Sequence, residues 1–212
     1  MTKSSKEHGI DRYHDLDPQT DAADQLKSIY AEWADTYDHD NDHTLGTVSQ
    51  PNAVALLEKW VSDKQSAILD VGCGTGLVGV HLHECGFTTF DGTDLSPQML
   101  DVAAGRGYRT LFAANADDGL PVSADAYDTV ICVGVFTHGH LGPDGIEELL
   151  RVTRPGGVIV FTVNEGVWEP SGFDTAVAKL SNAGTWKVLE QSLQSYMTKE
   201  KVKAWYVAAR KC

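Results

Sequence analysis

Apolar residues recur along this chain in two rhythms. Short continuous runs bounded by turn residues read as buried strands, and apolar positions spaced by three and four read as helices that cover them. Strands are predicted at 66–71, 88–93, 109–113, 127–135 and 158–163, with helices at about 75–85, 96–104 and 143–152 between them. Runs with this little polar interruption suit a parallel sheet buried on both faces. Ser96 followed by Pro97 gives the second of these helices a cap and a first-turn proline. Glu147 and Arg151 stand four apart on the third, placed for an ion pair. Pro155-Gly156-Gly157 predicts a turn, after which Val158–Val163 forms the fifth strand. A helix near 173–183 then leads to two strands, about 185–195 and 202–210. There Gln, Ser and Thr alternate with apolar residues, as in an antiparallel pair near a sheet edge.

The N-terminal part follows a different rhythm. Residues 1–20 are polar and predict a flexible tail. Over 21–37, Ala22, Leu26, Ile29, Tyr30, Trp33 and Tyr37 fall at helical spacing. The acidic stretch at 38–43 predicts a break, and Ser49 and Pro51 open a further helix to about Val61, with Ser49 as its cap. The organisation is therefore one domain over 21–212, with a helical cap at 21–62.

The most telling segment is Ala67–Gly79, AILDVGCGTGLVG. An apolar strand ends at Asp70 and Val71, and Gly72, Gly74 and Gly76 then remove three side chains before a helix begins. Such a turn brings backbone close to a ligand and aims N–H groups at it. Strand, glycine turn and helix in this order open a Rossmann-like, doubly wound α/β sheet, here seven-stranded and mostly parallel with an antiparallel C-terminal strand pair. Gly74, Gly76 and Gly79 also satisfy G-x-G-x-x-G, the dinucleotide pattern. Asp70 opposes that reading, because a carboxylate beside the turn repels a diphosphate and suits a ligand carrying a cation.

Composition narrows the partners. Seventeen Lys and Arg face thirty Asp and Glu, a formal charge of −13. That surface repels phosphate backbones and anionic membranes, so neither nucleic acid nor membrane is expected as a partner. It mildly favours neutral or cationic small molecules. The four cysteines, Cys73, Cys85, Cys132 and Cys212, have neither zinc-site nor disulfide-scaffold spacing. With no apolar leader and no long apolar run, a cytoplasmic protein is expected, monomeric or weakly dimeric.

In a doubly wound sheet the ligand lies across the carboxyl ends of the strands. The segment after the second strand is Thr93-Asp94-Leu95-Ser96-Pro97-Gln98-Met99. A carboxylate there, Asp94, can accept both hydroxyls of a ribose. After the fourth strand comes Val133-Gly134-Val135-Phe136-Thr137-His138-Gly139-His140. His138 is the candidate general base and His140 the lesser one, since a neutral imidazole takes a proton near neutral pH. No third ligand stands at a telling spacing, so no metal is expected.

The string DVGCGTG resembles motif I of the class I S-adenosylmethionine-dependent methyltransferases, and DLSPQML resembles the acidic loop of their small-molecule members. The resemblance extends through YDTVICVGVF and LLRVTRPGGVIVFTV, over about residues 30–165. VFTHGHLGP and RVTRPGGVIVFTVNE look like the subgroup near the Williams–Beuren-region methyltransferase-like protein. The resemblance implies S-adenosylmethionine as cofactor and a small-molecule methyl acceptor. It implies that Asp70, Gly72, Cys73, Gly74 and Gly76 surround the methionine end, and that Asp94, Leu95 and Met99 hold the ribose side. Asn115 stands where the family often has the Asp of an Asp-Ala pair, so Asn115 and Ala116 are placed at the adenine, and Val133 is a further candidate cofactor contact. The segment Tyr30–Asp38 resembles the Y-x-x-W-A-x-x-Y-D helix that closes over the cofactor, which implies an aromatic cover from Tyr30, Trp33 and Tyr37. Trp168 is a candidate lining for the acceptor pocket, with core packing as its other reading. Two alternatives stay open: a dinucleotide-dependent oxidoreductase, and a protein that binds the cofactor without turnover.

Overall fold

The computed structural model describes residues 22–138 and 141–212; the predicted tail at 1–20 and His140 lie outside the described residues. The N-terminal elements are α1 (Ala22–Trp33), the single turn α2 (Tyr37–His39), a π-helical turn (Asp40–Leu45) and α3 (Ser49–Trp60). The sheet unit follows as β1 (Ile68–Val71), α4 (Leu77–Glu84), β2 (Phe90–Asp94), α5 (Pro97–Ala103), β3 (Leu111–Ala113), β4 (Tyr127–Phe136) and α6 (Gly145–Val152). It closes with β5 (Thr153–Asn164), α7 (Glu165–Trp168), α8 (Phe173–Asn182), β6 (Trp186–Met197) and β7 (Val202–Lys211). The strands form one seven-stranded sheet in the order β3-β2-β1-β4-β5-β7-β6. β1 through β5 run parallel, and β7 pairs antiparallel with both β5 and β6. The order reverses beside β1, and in a doubly wound sheet that switch point opens the ligand crevice.

Side-chain alternation sorts each strand between two cores. Leu69, Val130, Cys132, Ile159 and Phe161 enter one, packed under α6 and α8 with Phe173 and Trp186. Ile68, Ile131, Val158 and Val160 enter the other, packed against α3 and α4 with Leu57, Leu82 and Phe87. All of these side chains are buried, which is why the strands read as unbroken apolar runs.

Four local expectations differ from the structure. Residues 38–43 do not break the chain but continue it as a helix. Asp40 accepts from Trp33 Nε1 at 2.7 Å, and Asn41 Nδ2 reaches Tyr37 O at 2.8 Å, so the polar side chains stitch the turn together. Ser49 is not the cap of α3; Val48 takes that place, and the Ser49 hydroxyl makes no cap bond. Pro155-Gly156-Gly157 forms an irregular insertion inside β5, between the pairs Tyr127–Thr153 and Thr129–Val158. Arg151 pairs not with Glu147 but with Glu148, one residue closer in the chain. Among the described residues no helix is long and apolar enough to cross a membrane.

Candidate functional site

A cavity of about 210 Å³ opens at the carboxyl ends of β1, β2 and β4, under the N-terminal helices. Its edge at β1 is the glycine turn. The amides of Gly72 and Cys73 donate to Thr93 O at 2.8 and 2.9 Å, and Gly74 N donates to Asp94 Oδ2 at 2.8 Å. The first three amides of the turn are thus bound by β2 rather than free for a ligand, because a buried N–H needs a partner. The glycines do different work. Gly74 has φ +54° and open space where a Cβ would stand, so bare backbone faces the cavity there. At Gly72, φ +73°, a Cβ would lie 2.2 Å from Val135 Cγ2; the missing side chain admits the floor of the cavity, not the ligand. At Gly76 and Gly79 a Cβ would lie 3.0 and 2.5 Å from the Tyr108 ring.

Tyr108 stands out in the fold although no motif or periodicity in the chain singles it out. Its hydroxyl accepts from Gly79 N at 3.0 Å and donates to Asp70 Oδ2 at 2.6 Å. Gly92 on β2 makes room for the same ring. Three glycines facing one aromatic position is the signal that marks it. Asp70 is fully buried behind the turn, and its Oδ1 has no hydrogen-bond partner. Burial pushes its carboxyl up to about 7, against the lowering effect of the Tyr108 hydroxyl. Cys73 beside it is buried too, and burial together with Asp70 and Asp94 holds its thiol well above the ordinary range.

Asp94, ending β2, lies on the cavity wall with Leu95 and Met99. Its Oδ2 holds Gly74 and its Oδ1 accepts from Ser96 N at 2.9 Å. It therefore ties two loops together from its place on the cavity wall. Burial raises its carboxyl, and the backbone amides partly offset this. Ser96 caps α5 as expected, accepting from Met99 N at 3.4 Å, with Pro97 in the first turn. Thr93 also lines the cavity, and its buried hydroxyl has no partner.

After β3, Asn115, Ala116 and Asp117 line the cavity. Asn115 Oδ1 already accepts from Asp117 N at 3.1 Å and caps the 3₁₀ turn Ala116–Asp118. Of this acceptor the expected adenine contact would use the second lone pair. Asp117 presents a full carboxylate close by, raised by partial burial and by Asp118 and Asp144.

The floor comes from a bulge. From Cys132 to Phe136 β4 advances four residues while β5 advances two, Phe161 to Val163. The excess pushes Val133, Gly134 and Val135 into the cavity. Gly134, at φ +83°, donates to Thr162 Oγ1 at 3.1 Å and so anchors the bulge to β5. His138 lies beyond it, exposed and outside the cavity wall, near Gly166. Trp168 also leaves the site: it is buried and stacks on Trp205 at 5.0 Å.

The cap supplies Leu26, Tyr30 and Tyr37 to the cavity wall. α1 ends at Trp33, so Tyr37 arrives from the next turn rather than from the same helix. The three aromatics still cluster, with Trp33 and Tyr37 4.8 Å apart edge to face and Tyr30 stacked 6.1 Å from Trp33. Trp33 itself is buried behind them. Asp38 fastens the cap to the glycine turn: Thr75 Oγ1 donates to it at 2.6 Å, and Arg106 Nη2 forms an ion pair with it.

The donor set fits an adenosyl sulfonium cofactor. The cavity wall carries the carboxylates of Asp94 and Asp117 and, among the described residues, no Lys or Arg. An orphaned carboxylate oxygen of Asp70 lies behind it. Such a set favours a cation and disfavours a diphosphate. Two glycines of the G-x-G-x-x-G spacing, Gly76 and Gly79, have their own cause in Tyr108. Of the expected contacts, Tyr30, Tyr37, Gly72, Gly74, Asp94, Leu95, Met99, Asn115, Ala116 and Val133 come together on the cavity wall. Trp33, Asp70, Cys73 and Gly76 stand behind it. No metal-binding group of three or more acidic, His or Cys residues occurs among the described residues.

A model of the methyltransferase domain matches residues 68–157. The chain is 32% identical over 171 residues to Methyltransferase-like protein 27 of Homo sapiens, covering 78% of this chain and 69% of that protein. It is 29% identical over 203 residues to demethylmenaquinone methyltransferase of Clavibacter sepedonicus, covering 87% of this chain and 81% of that protein. It is also 34% identical to tRNA U34 carboxymethyltransferase of Cellvibrio japonicus, but over 111 residues that cover 50% of this chain and 34% of that protein. Magnesium protoporphyrin IX methyltransferase of Synechocystis, solved with bound S-adenosylmethionine, shares the fold at 16% identity and a TM-score of 0.60, covering 96% of this chain and 91% of that one.

Proposed function

Since the chain belongs to the S-adenosylmethionine-dependent methyltransferase family, we propose that it methylates a small molecule, neutral or cationic, bound between the cap and the bulge of β4. One observation carries the reading: among the described residues the cavity is walled by two carboxylates, by aromatics and by apolar side chains, and by no basic group. An anionic acceptor, and a nucleic acid above all, would meet the repulsion of those carboxylates and of a chain with a net charge of −13. Similarity to a methyltransferase named for demethylmenaquinone, over most of both chains, supports a small molecule more than the partial match to a tRNA-directed enzyme. The four free thiols are in keeping with a reducing compartment, the cytoplasm.

When bound, the cofactor supplies an electrophilic methyl group on a sulfonium. Asp94 would accept from its ribose hydroxyls, Asn115 and Asp117 would face its adenine, and the Gly74 backbone would border its methionine end. Tyr30 and Tyr37 would screen the cation from water and favour it through their ring faces. Leu26, Val135 and Leu141 offer the acceptor an apolar wall. The chain's contribution to rate is alignment of acceptor, methyl and sulfur, for which proximity alone supplies about 7–11 kcal/mol in favourable cases. His138 stands outside the wall, so alignment carries the proposal and a base does not.

The test is to incubate the protein with methyl-labelled S-adenosylmethionine, a metabolite extract and, separately, a total tRNA fraction. Label in a small neutral or amine-bearing product supports the reading. Label in tRNA, or in an acidic product only, overturns it.

A further inference from the structure

Two charged residues of α6 do more than pair with each other. Arg151 Nε and Nη2 donate to Glu148 at 2.8 and 2.7 Å. The same guanidinium donates to Leu120 O at 3.0 Å and to Val122 O at 2.9 Å. Glu148 Oε1 in turn accepts from Leu120 N at 2.6 Å. Both backbone groups of Leu120 are therefore held by one ion pair. Leu120 is buried and lines the cavity, directly after the turn that carries Asn115, Ala116 and Asp117. Within the loop, Asp118 N and Gly119 N donate to Asn115 O and Ala116 O and close the turn. Asn115 caps its first turn, and the α6 pair fixes its far end.

The arrangement also explains why Arg151 chose Glu148 over Glu147. Only the residue three positions back faces Leu120, so the pair forms where it can also satisfy a loop amide. Glu148 is mostly buried, and the Arg151 side chain beside it holds its carboxyl below the usual range. A surface pair with no further partners contributes little. This one gives Leu120 N and Val122 O their hydrogen-bond partners and adds a second donor to Leu120 O, which also accepts from Val122 N at 2.7 Å.

We infer that Glu148 and Arg151 are positioning residues that set the adenine specificity of the cofactor site by clamping the loop 115–122. The inference rests on the cofactor reading above. Neither residue touches the cavity; they act through Leu120 on where Asn115 and Asp117 stand. Releasing the clamp loosens the acceptors for the adenine amino group while leaving Asp94 and the glycine turn in place.

The experiment compares binding of S-adenosylhomocysteine and S-inosylhomocysteine, which carries a 6-oxo group in place of that amino group, by calorimetry. The intact protein should prefer the adenine ligand by on the order of tenfold or more, the scale of one or two hydrogen bonds. In Arg151→Met that preference should shrink to roughly threefold or less, mainly through weaker binding of the adenine ligand. Glu148→Gln, which keeps a carbonyl acceptor for Leu120 N, should lie between the two. Arg154→Met, which removes the neighbouring pair with Asp128, should leave the preference unchanged and controls for a general loss of stability. If Arg151→Met or Glu148→Gln lowers the melting temperature yet keeps the full preference, the clamp is structural and the inference is wrong. Failure of the intact protein to bind S-adenosylhomocysteine would instead remove the cofactor reading, and the inference with it.

Discussion

Replacing Gly72 with alanine tests the assembly of the site at its tightest point. A Cβ built there lies 2.2 Å from Val135 Cγ2, well inside contact distance, and the backbone is at φ +73°. The left-handed conformation costs a residue with a side chain about 1–2 kcal/mol. Overpacking of a well-filled site adds about 1–3 kcal/mol. Gly72→Ala should therefore lower stability by roughly 2–5 kcal/mol, read from urea unfolding at neutral pH. The two parts separate in a cycle with Val135→Ala, which removes the offending methyl and leaves the dihedral cost. The double variant should be more stable than the sum of single effects by at least about 1 kcal/mol, the range of contacting residues. S-adenosylhomocysteine affinity should recover in the double variant as well, because the displaced segment is the bulge that floors the cavity. Strict additivity, within about 0.5 kcal/mol, would show that Val135 does not occupy the space at Gly72 and would refute the reasoning.

Three further outcomes are expected. Asp94→Asn should weaken S-adenosylhomocysteine binding about ten- to hundredfold by calorimetry, since one carbonyl cannot serve Gly74, Ser96 and a ribose; unchanged affinity would clear Asp94 of that role. Burial raises the Asp70 carboxyl to about 7 from an ordinary value near 3.8, so the unfolded chain gives up this proton first. Its contribution to stability is then intact below pH 4 and is lost as pH rises toward 7, by up to about 4 kcal/mol. Asp70→Asn should flatten that fall in stability across pH 4 to 7, as followed by chemical unfolding at each pH, and an unaltered profile would contradict the assignment. His138→Ala should keep turnover within about threefold of the parent if alignment suffices; loss of turnover with intact cofactor affinity would identify His138 as the base.

The sheet was legible because its strands are buried on both faces, so apolar runs such as Tyr127–Val135 and Val158–Val163 stand out without any periodicity to interpret. The ends of elements were less so. Ser49 has the chemistry of a cap but sits inside the first turn, and the polar 38–43 stretch is helical because Trp33, Tyr37 and Asp40 bond across it. Within the site, residues on strand-end loops followed from the fold rule, and Asp94 and Gly74 stand where that rule puts them. Tyr108, Arg106 and Arg151 did not follow, since each supports the site from behind its wall through contacts that only the folded chain creates. Trp168 illustrates the reverse case: its partner Trp205 lies on β7, and nothing local distinguishes a stacked core indole from a pocket wall.

The insertion in β4 has a consequence for how this enzyme can change. Register with β5 is regained at Phe136–Val163, so the extra residues burden neither neighbouring strand. Val133 is also part of the core and Val135 fills the space over Gly72, so exchanges there that keep the side-chain volume are the ones the neighbouring strands tolerate. The shape of the cavity floor can thus vary while the strand pairing on either side of it is kept.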